Sequence, residues 1–468
     1  MYVFNNCLND ARVLKEAFSV SEMGHEVEIV AFLDKKTTPF ERKSEAVTIR
    51  RIAINALHLR ILRAFSNPFA QQEKTPDGGK KAKSKIAGWL GPYRQNPLVR
   101  ALAFLFGGLF FLVYKASTAF TALFRKVGSF VMRVLRYVLH RPIKFLLMPY
   151  HKFFVYYDFY KQGVKIGIDD PADVVHCHDL NTLKIGTTLK KRVGSKLVYD
   201  SHELYLHKNR IVQPGRFKKR VMRRIEAAGM KAADKVITVG GCIADWMANE
   251  YGAPTPEVVL NTPGYREDEP DMSKSLRAAL GLNSDQWLMV YSGGITFNRG
   301  LENIIEAVAQ VDELQFVMMG YGTEAYLDSI KKLITTHKVE ERVHFFGPVE
   351  HHEVSSYLSS ADFGIAPILN VCLSYYYCSP NKLFEFVQAR LPVLASNFPE
   401  MEKVVEDYDI GLTFEPSDVS DIVKTIQQMI ADKGKMQYYR QNTEKAAHAF
   451  NWENESQKLK TIYKELAS

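Results

Sequence analysis

Cysteine is scarce and unpatterned in this chain. Its five cysteines (Cys7, Cys177, Cys242, Cys372 and Cys378) are odd in number, scattered, and without a C-x-x-C spacing. That argues against a disulfide framework or a structural zinc site and for a reducing compartment. The opening residues, MYVFNNCLNDARV, lack the basic-then-apolar pattern of a secretory signal, so the expectation is a cytoplasmic protein. No repeat of roughly 20–50 residues recurs. No Asp-x-Asp stands at a strand end in a metal-binding context. The apolar run Ala101–Tyr114 has only about fourteen residues, short of the roughly twenty that span a bilayer. Counting on to Phe124 gives about twenty-four with a single lysine, Lys115, so a span over 101–124 stays open.

What is present is the material of an ordinary folded core, with 46 % hydrophobic and 24 % charged residues. At 468 residues the chain is too long for one core, and two domains are expected. Its net charge of +9 is segregated. Between Arg60 and Lys165 there are about nineteen Lys and Arg against about three Asp and Glu, and the remainder is mildly acidic.

Alternating elements flank that basic segment. Ala11 to Met23 carries apolar residues at helical spacing and ends before Gly24, and Val27 to Phe32 is a buried-strand run. A short strand is expected over MYVFNN. From Ala172 the strands ADVVHCHD, KLVYDSHE and DKVITVG alternate with helices, one of them basic, around Phe217 to Ala233. Residues 265–285 read as a linker. A second block follows, with strands WLMVYSGG, LQFVMMG, VHFFGP, DFGIAP, LPVLAS and GLTF, then mostly helix from Asp421 to about Ile462 with a break at Asn451-Trp452. Two such blocks imply parallel sheets whose carboxyl ends face a cleft.

Two segments carry chemistry. In YSGGITFNRGLENIIEA (Tyr291 to Ala307), Gly293-Gly294 and then Arg299-Gly300 precede a helix. Glycines there let backbone N–H groups approach a phosphate, and Arg299 offers a fork to diphosphate oxygens. The plain alternative is a tight turn with a solvated arginine. In CSPNKLFEFVQARLPVLAS (Cys378 to Ser396), Ser379 suits an N-cap and Pro380 the first helical position, with Asn381 and Lys382 in the first turn and the helix reaching about Arg390. Glu385 stands among Leu383, Phe384, Phe386 and Val387, and a carboxylate so placed needs hydrogen-bond donors such as sugar or ribose hydroxyls. A surface glutamate on an amphipathic helix is the alternative. His176, His178 and Asp179 end one strand, and His202 and Glu203 end the next, so these residues are acid–base candidates.

In order, these motifs resemble a glycosyltransferase of the GT-B fold, and the retaining family 4 in particular. The donor-half motifs are SGG with RG, GYG (Gly320 to Gly322), VHFFGPV, ADFGIAP and SPNKLFEFVQARLPVLAS; the N-terminal ones are NDARVLKEAFSVSEMGHEVEIVA, VVHCHDLNT, YDSHELY and ADKVITV. The likeness covers about 360 of the 468 residues. It implies an α/β chain of two Rossmann-like domains facing a central cleft, with a helical basic and apolar insertion in the first. The domains would be 1–265 for the acceptor (insertion about 60–165), 266–440 for the nucleotide sugar, and a helical 441–468 packing back on the first.

The resemblance further implies transfer of a hexosyl unit from a nucleotide-diphosphate sugar, with retention and without a cofactor, in cell-surface glycan synthesis. With no Asp-x-Asp in place, the cationic loop and helix dipole are expected to replace a metal ion. Arg299 would contact the diphosphate together with Gly293 and Gly294. Gly320 and Gly322 belong to the donor site. Phe346, Gly347, Pro348 and Val349 would cup the base. Glu385 would hold the ribose hydroxyls, and Asn381, Lys382 and Leu383 would line the diphosphate. His178 would face the transferred sugar, with Asp10, His176, Asp179, His202 and Glu203 as further acceptor-side candidates. Two positions depart from the family pattern: Tyr377 replaces the first acid of its E-x7-E signature, and Gly294 a basic residue. An epimerase or phosphorylase of the same fold, or a degenerate scaffold, are the alternatives.

The basic segment suggests where the acceptor lies. From Arg125 on, basic residues recur among Val, Phe, Leu and Tyr, including Arg133, Arg136, Arg141 and Lys144. That is the pattern of a helix lying in a membrane interface. Lys74 to Lys85 would be a basic tether for anionic headgroups. The expected partners are therefore an anionic membrane surface, met from the cytoplasmic side, and a lipid-linked or glycan acceptor. Nucleic acid is not expected, because the segment carries bulky aliphatics. The plain alternative is an insertion packed on the first domain.

Overall fold

The computed structural model describes residues 1–66, 138–210, 212–267, 271, 273–283 and 285–467. It divides into one unit made of Met1–Ala53 and Tyr160–Ser468 and another of Ile54–Phe159.

The larger unit holds two groups of mainly parallel strands. In the first, β1 (Val27–Phe32), β2 (Phe40–Arg42) and β3 (Val47–Ile52) run in the order β1-β3-β2. Beside them, β4 (Val174–His178), β5 (Lys196–Ser201), β6 (Lys235–Thr238) and β7 (Glu257–Val258) run in sequence. Tyr2 joins the two sets, pairing with Val30 of β1 and Cys177 of β4. Its N–H donates to the His176 carbonyl at 2.8 Å, and its own carbonyl accepts from the His178 N–H at 3.0 Å. MYVFNN is thus a single bridging residue and not the expected strand. Asn5 and Asn6 explain why: their side-chain oxygens accept from the Cys7 and Leu8 N–H groups at 2.7 and 3.1 Å, turning the backbone away from a ladder.

The second sheet contains β8 (Trp287–Ser292), β9 (Leu314–Met319), β10 (Val343–Phe346), β11 (Phe363–Ala366), β12 (Val393–Ser396) and β13 (Gly411–Phe414). Its order is β10-β9-β8-β11-β12-β13, parallel throughout. β9 (LQFVMM) is buried along its whole length, as a strand covered on both faces must be. The order reverses between β8 and β11, so a crevice opens there at the strands' carboxyl ends.

The helix Asn381–Gln388 lies beside that crevice and buries Leu383, Phe384, Phe386 and Val387. Its N-cap is Pro380, not Ser379, and the Ser379 hydroxyl has no partner. Pro380 at φ −75° and ψ 136° already fixes the extended approach to the first turn, which leaves no capping role for the serine.

The helix Trp452–Ala467 packs on the helix Ala11–Ser21. Leu459, Ile462, Tyr463 and Leu466 share a core with Val13, Ala17 and Ile29, and Trp452 Nε1 donates to Ser19 Oγ at 3.0 Å. The two segments linking the sheets are bonded to each other. Trp452 N–H donates to the Pro263 carbonyl at 2.8 Å, while Glu453 and Glu455 accept from the N–H groups of Tyr265 and Leu260 at 2.7 and 2.9 Å.

In the smaller unit, the helix Leu57–Ser66 meets the start of the helix His151–Asp169 through His58 Nε2 and His151 Nδ1, 2.7 Å apart. Phe145, Leu146, Met148, Tyr150, Phe153 and Tyr157 are exposed there, as are Arg141, Lys144 and Lys152. No described helix is long and apolar enough to cross a membrane. The run 101–124, the tether 74–85, Arg133 and Arg136 lie outside the described residues.

Candidate functional site

The loop after β8 is held open by glycines. A Cβ on Gly320 would come within 1.9 Å of the Gly293 carbonyl oxygen, and one on Gly322 within 2.5 Å of the Ile295 oxygen. Gly293 itself sits at φ 116°. Gly320 and Gly322 therefore support the turn from behind, while Gly293 and Gly294 line a cleft of about 380 Å³.

Arg299, Asn381, Lys382 and Glu385 line the same cleft, and His202 and Glu203 close it from the other sheet. Ser292 Oγ donates to Glu385 Oε2 at 3.1 Å, leaving the other carboxylate oxygen for a ligand. The Arg299 guanidinium lies 4.9 Å from the Tyr375 ring centre. Lys382 Nζ is buried 3.4 Å from the centre of the Tyr291 ring and has no hydrogen-bond acceptor. Burial, and then the neighbouring Arg299, hold its ammonium well below the ordinary lysine range.

A second cleft, of about 480 Å³, continues from the first through His202, Val239, Ser379 and Asn381. Its further walls are Asn5, Asn6, Asn9, Asp10, Arg12 and Asn261. Asp10 caps the helix Ala11–Ser21 through the Val13 N–H at 3.3 Å and accepts from Asn5 Nδ2 at 2.7 Å. Asn261 Nδ2 donates to Asn381 Oδ1 at 3.1 Å.

Behind His202 lies a buried ionic cluster. Arg12 grips Asp200 with Nε and one terminal nitrogen at 2.8 and 2.9 Å and reaches Glu16 Oε1 at 2.9 Å. His202 Nε2 and His178 Nδ1 stand 2.9 and 3.3 Å from Asp200 Oδ2, and His176 Nδ1 stands 2.9 Å from the Tyr463 hydroxyl. Burial opposes the charge on Asp200, but Arg12 and His202 outweigh it and hold the carboxyl well below the carboxylate range. Burial lowers His178 to about 4 and raises Glu16 to about 8. Glu16, His176, His178 and Asp200 bring ligand-type atoms within 4.8 Å of one another. A cation there would compete with Arg12, which already pairs with both carboxylates.

The expected residues are thus partly brought together. Gly293, Gly294, Arg299, Asn381, Lys382, Glu385, His202, Glu203 and Asp10 line the clefts. His176 and His178 do not: each is 1 % exposed, because Glu16 and Tyr463 cover the end of β4. The expectation that His178 faces the cleft is corrected accordingly. Asp179 is half-buried at φ 62°, accepting the His202 N–H at 3.2 Å, and lines neither cleft. The Leu383 side chain is fully buried in the core and lines neither cleft. Phe346 ends β10 and Gly347, Pro348 and Val349 follow it, all outside both clefts, with the Phe346 ring centre 5.0 Å from that of Tyr357. Tyr377 lines a different cleft, with Trp246.

Arg12, Glu16, Asn5, Asn9, Asn261, Ser292 and Glu400 were not expected. Glu400 accepts from the N–H groups of Gly241 and Cys242 at 3.1 and 2.9 Å, linking the helix Pro399–Asp407 to the helix Gly241–Tyr251. The available signal was Gly240-Gly241 after β6, a helix start without a capping side chain of its own.

A model described as "Glycosyl transferases group 1" matches residues 272–446, and one described as "Glycosyl transferase 4-like domain" matches residues 89–264. An uncharacterized glycosyltransferase of Methanocaldococcus jannaschii is 23 % identical over 312 residues, covering 64 % of this chain and 77 % of that one. Among solved structures, sucrose-phosphate synthase from Thermosynechococcus elongatus has a TM-score of 0.65 at 17 % identity, covering 98 % of this chain and 93 % of the other. Anabaena HepE in complex with UDP-glucose has a TM-score of 0.54 at 16 % identity, covering 69 % and 89 %. Together the two models match well over half of the sequence, in the order of the two sheets. The chain belongs to the group 1 glycosyl transferases, enzymes of the GT4 type with the GT-B fold.

Proposed function

We propose that this glycosyltransferase moves a hexosyl unit from a nucleoside diphosphate sugar in the first cleft to an acceptor hydroxyl in the second, with retention of configuration. The observation that carries the reading is the convergence of Arg299, Lys382 and the N-terminus of the helix Asn381–Gln388 on the Gly293-Gly294 turn, beside Glu385. The two cations and the helix dipole suit a diphosphate, and the carboxylate suits ribose hydroxyls. HepE was solved with UDP-glucose, which favours a UDP-sugar as the donor.

In the reaction, the acceptor oxygen bonds to the anomeric carbon as the bond from that carbon to the diphosphate oxygen breaks. The acceptor's proton passes to the departing phosphate. Arg299 and Lys382 meet the charge that gathers on the leaving group, and as preorganised groups they lower the barrier without reorganising. His202, at the junction of the clefts, is the side chain best placed to orient the acceptor.

The acceptor is proposed to be lipid-linked or a membrane-proximal glycan, reached from the cytoplasmic face of an anionic membrane in cell-surface glycan synthesis. Exposed Phe145, Leu146 and Phe153 beside Arg141, Lys144 and Lys152 support that attachment. UDP release from a panel of UDP-sugars tests the donor half. Sedimentation with anionic vesicles at rising salt tests the membrane half. No release from any sugar nucleotide, or no binding to vesicles at low salt, would remove the corresponding half.

A further inference from the structure

The two clefts differ in chemistry. The first concentrates cations, whereas the second is walled by amides: Asn5, Asn6, Asn9, Asn261 and Asn381. Resting on the function proposed above, we infer that the second cleft receives an uncharged, hydroxyl-bearing ring, a sugar or polyol, in preference to a phosphorylated one.

Three observations carry this. No lysine is among the described residues lining the cleft, and its one arginine is spent. Arg12 directs Nε and one terminal nitrogen to Asp200 and the other to the Val259 carbonyl at 2.8 Å, and it is 3 % exposed. Asp10, held by the Asn5 amide and the helix start, adds a carboxylate that repels a phosphate. His202 is the remaining cation, and Asp200 already neutralises it at 2.9 Å.

The unused hydrogen-bonding capacity points the same way. The Asn9 amide lines the cleft with no side-chain partner among the described residues. Asn5, Asn6 and Asn261 each give one amide hydrogen to Asp10, Asp34 and Asn381 and keep the second. An amide donates and accepts, as a hydroxyl does, whereas a fully ionised phosphate only accepts.

The test is ligand-observed NMR titration of the full chain, loaded with UDP, against matched pairs: glucose and glucose 6-phosphate, galactose and galactose 6-phosphate, and myo-inositol and its 1-phosphate. UDP uptake is read first and separately, and a chain that takes up no UDP overturns both this inference and the donor reading. With UDP bound, at least one neutral member should bind about tenfold more tightly than its phosphate. Asn9→Leu should weaken that neutral ligand about fivefold or more. A phosphate bound as tightly as its neutral partner, no neutral member bound at tens of millimolar, or an unchanged Asn9→Leu affinity overturns the inference while leaving the donor reading standing.

Discussion

The ammonium of Lys382 lies 3.4 Å from the centre of the Tyr291 ring and has no hydrogen-bond acceptor. Such a group costs stability until an anion arrives. Lys382→Met should therefore melt no lower than the wild type while weakening UDP binding at least about tenfold. Differential scanning fluorimetry with UDP titration checks both halves, and a large loss of stability would contradict the picture.

A proton should enter with the nucleotide. Lys382 is held below its ordinary value of 10.5, by burial first and then by Arg299, with Glu385 and Cys378 acting in the opposite sense. Between the depressed and the ordinary value the free enzyme lacks this proton, and a phosphate facing Nζ restores it. Calorimetry at about pH 9 in buffers of different ionisation enthalpy should show net proton uptake on UDP binding, absent in Lys382→Met. Proton release would contradict the assignment.

Glu385 is bonded through one oxygen to Ser292. Glu385→Ala should lower kcat/KM about a hundredfold or more with a near-native melting temperature, and Glu385→Gln less, since an amide oxygen still accepts from a hydroxyl. Wild-type turnover in the alanine variant would misplace the donor.

His202 gives stability a pH signature. Burial lowers its affinity for a proton, but the Asp200 and Asp179 carboxylates outweigh that and raise it to about 9. A value raised on folding stabilises fully below the unfolded value near 6.5 and loses that contribution as pH rises through 9. His202→Gln should melt about 2–4 °C lower at pH 6, and the gap should close by about pH 9.5. A gap that widens with pH would reverse the sign.

Glu400 caps the helix Gly241–Tyr251 from the opposite sheet. Glu400→Ala should cost about 1 kcal/mol of that contact and leave the cleft more open, read as a larger radius of gyration in X-ray scattering with UDP bound. Gly240→Val should act similarly, because a Cβ there already meets the Glu400 carboxyl carbon at 3.1 Å. An unchanged radius in both variants would show that the contact does not govern opening.

Much of this was legible in the sequence, since it rests on local pattern. The runs WLMVYSGG and LQFVMMG read as buried strands because every position is apolar or nearly so, and they are β8 and β9. Arg299 and Glu385 stood out at strand-to-helix turns, though a solvated arginine and a surface glutamate fitted the same pattern. The donor-side reading of Lys382 came from the family resemblance; the structure brings all three to one cleft. What was not legible depends on distant partners. His178 looked like a strand-tip residue facing the cleft. It is covered by Glu16, on a helix more than 150 positions earlier, and lies beside His176, which bonds to Tyr463 near the other end of the chain. Periodicity could place Ser379 next to a helix start. It could not show that Pro380 would take over the cap.

The chain passes between its two halves twice, once near Leu260–Tyr265 and once near Trp452–Glu455, and the passages are stitched together by three hydrogen bonds of 2.7–2.9 Å. One tether would let the halves swivel freely. Two tethers bonded side by side act as a hinge pin, which permits rotation about its own line and resists twisting across it. Any opening of the clefts is therefore expected to follow one arc, which would keep Arg299 and His202, borne on opposite leaves, in register.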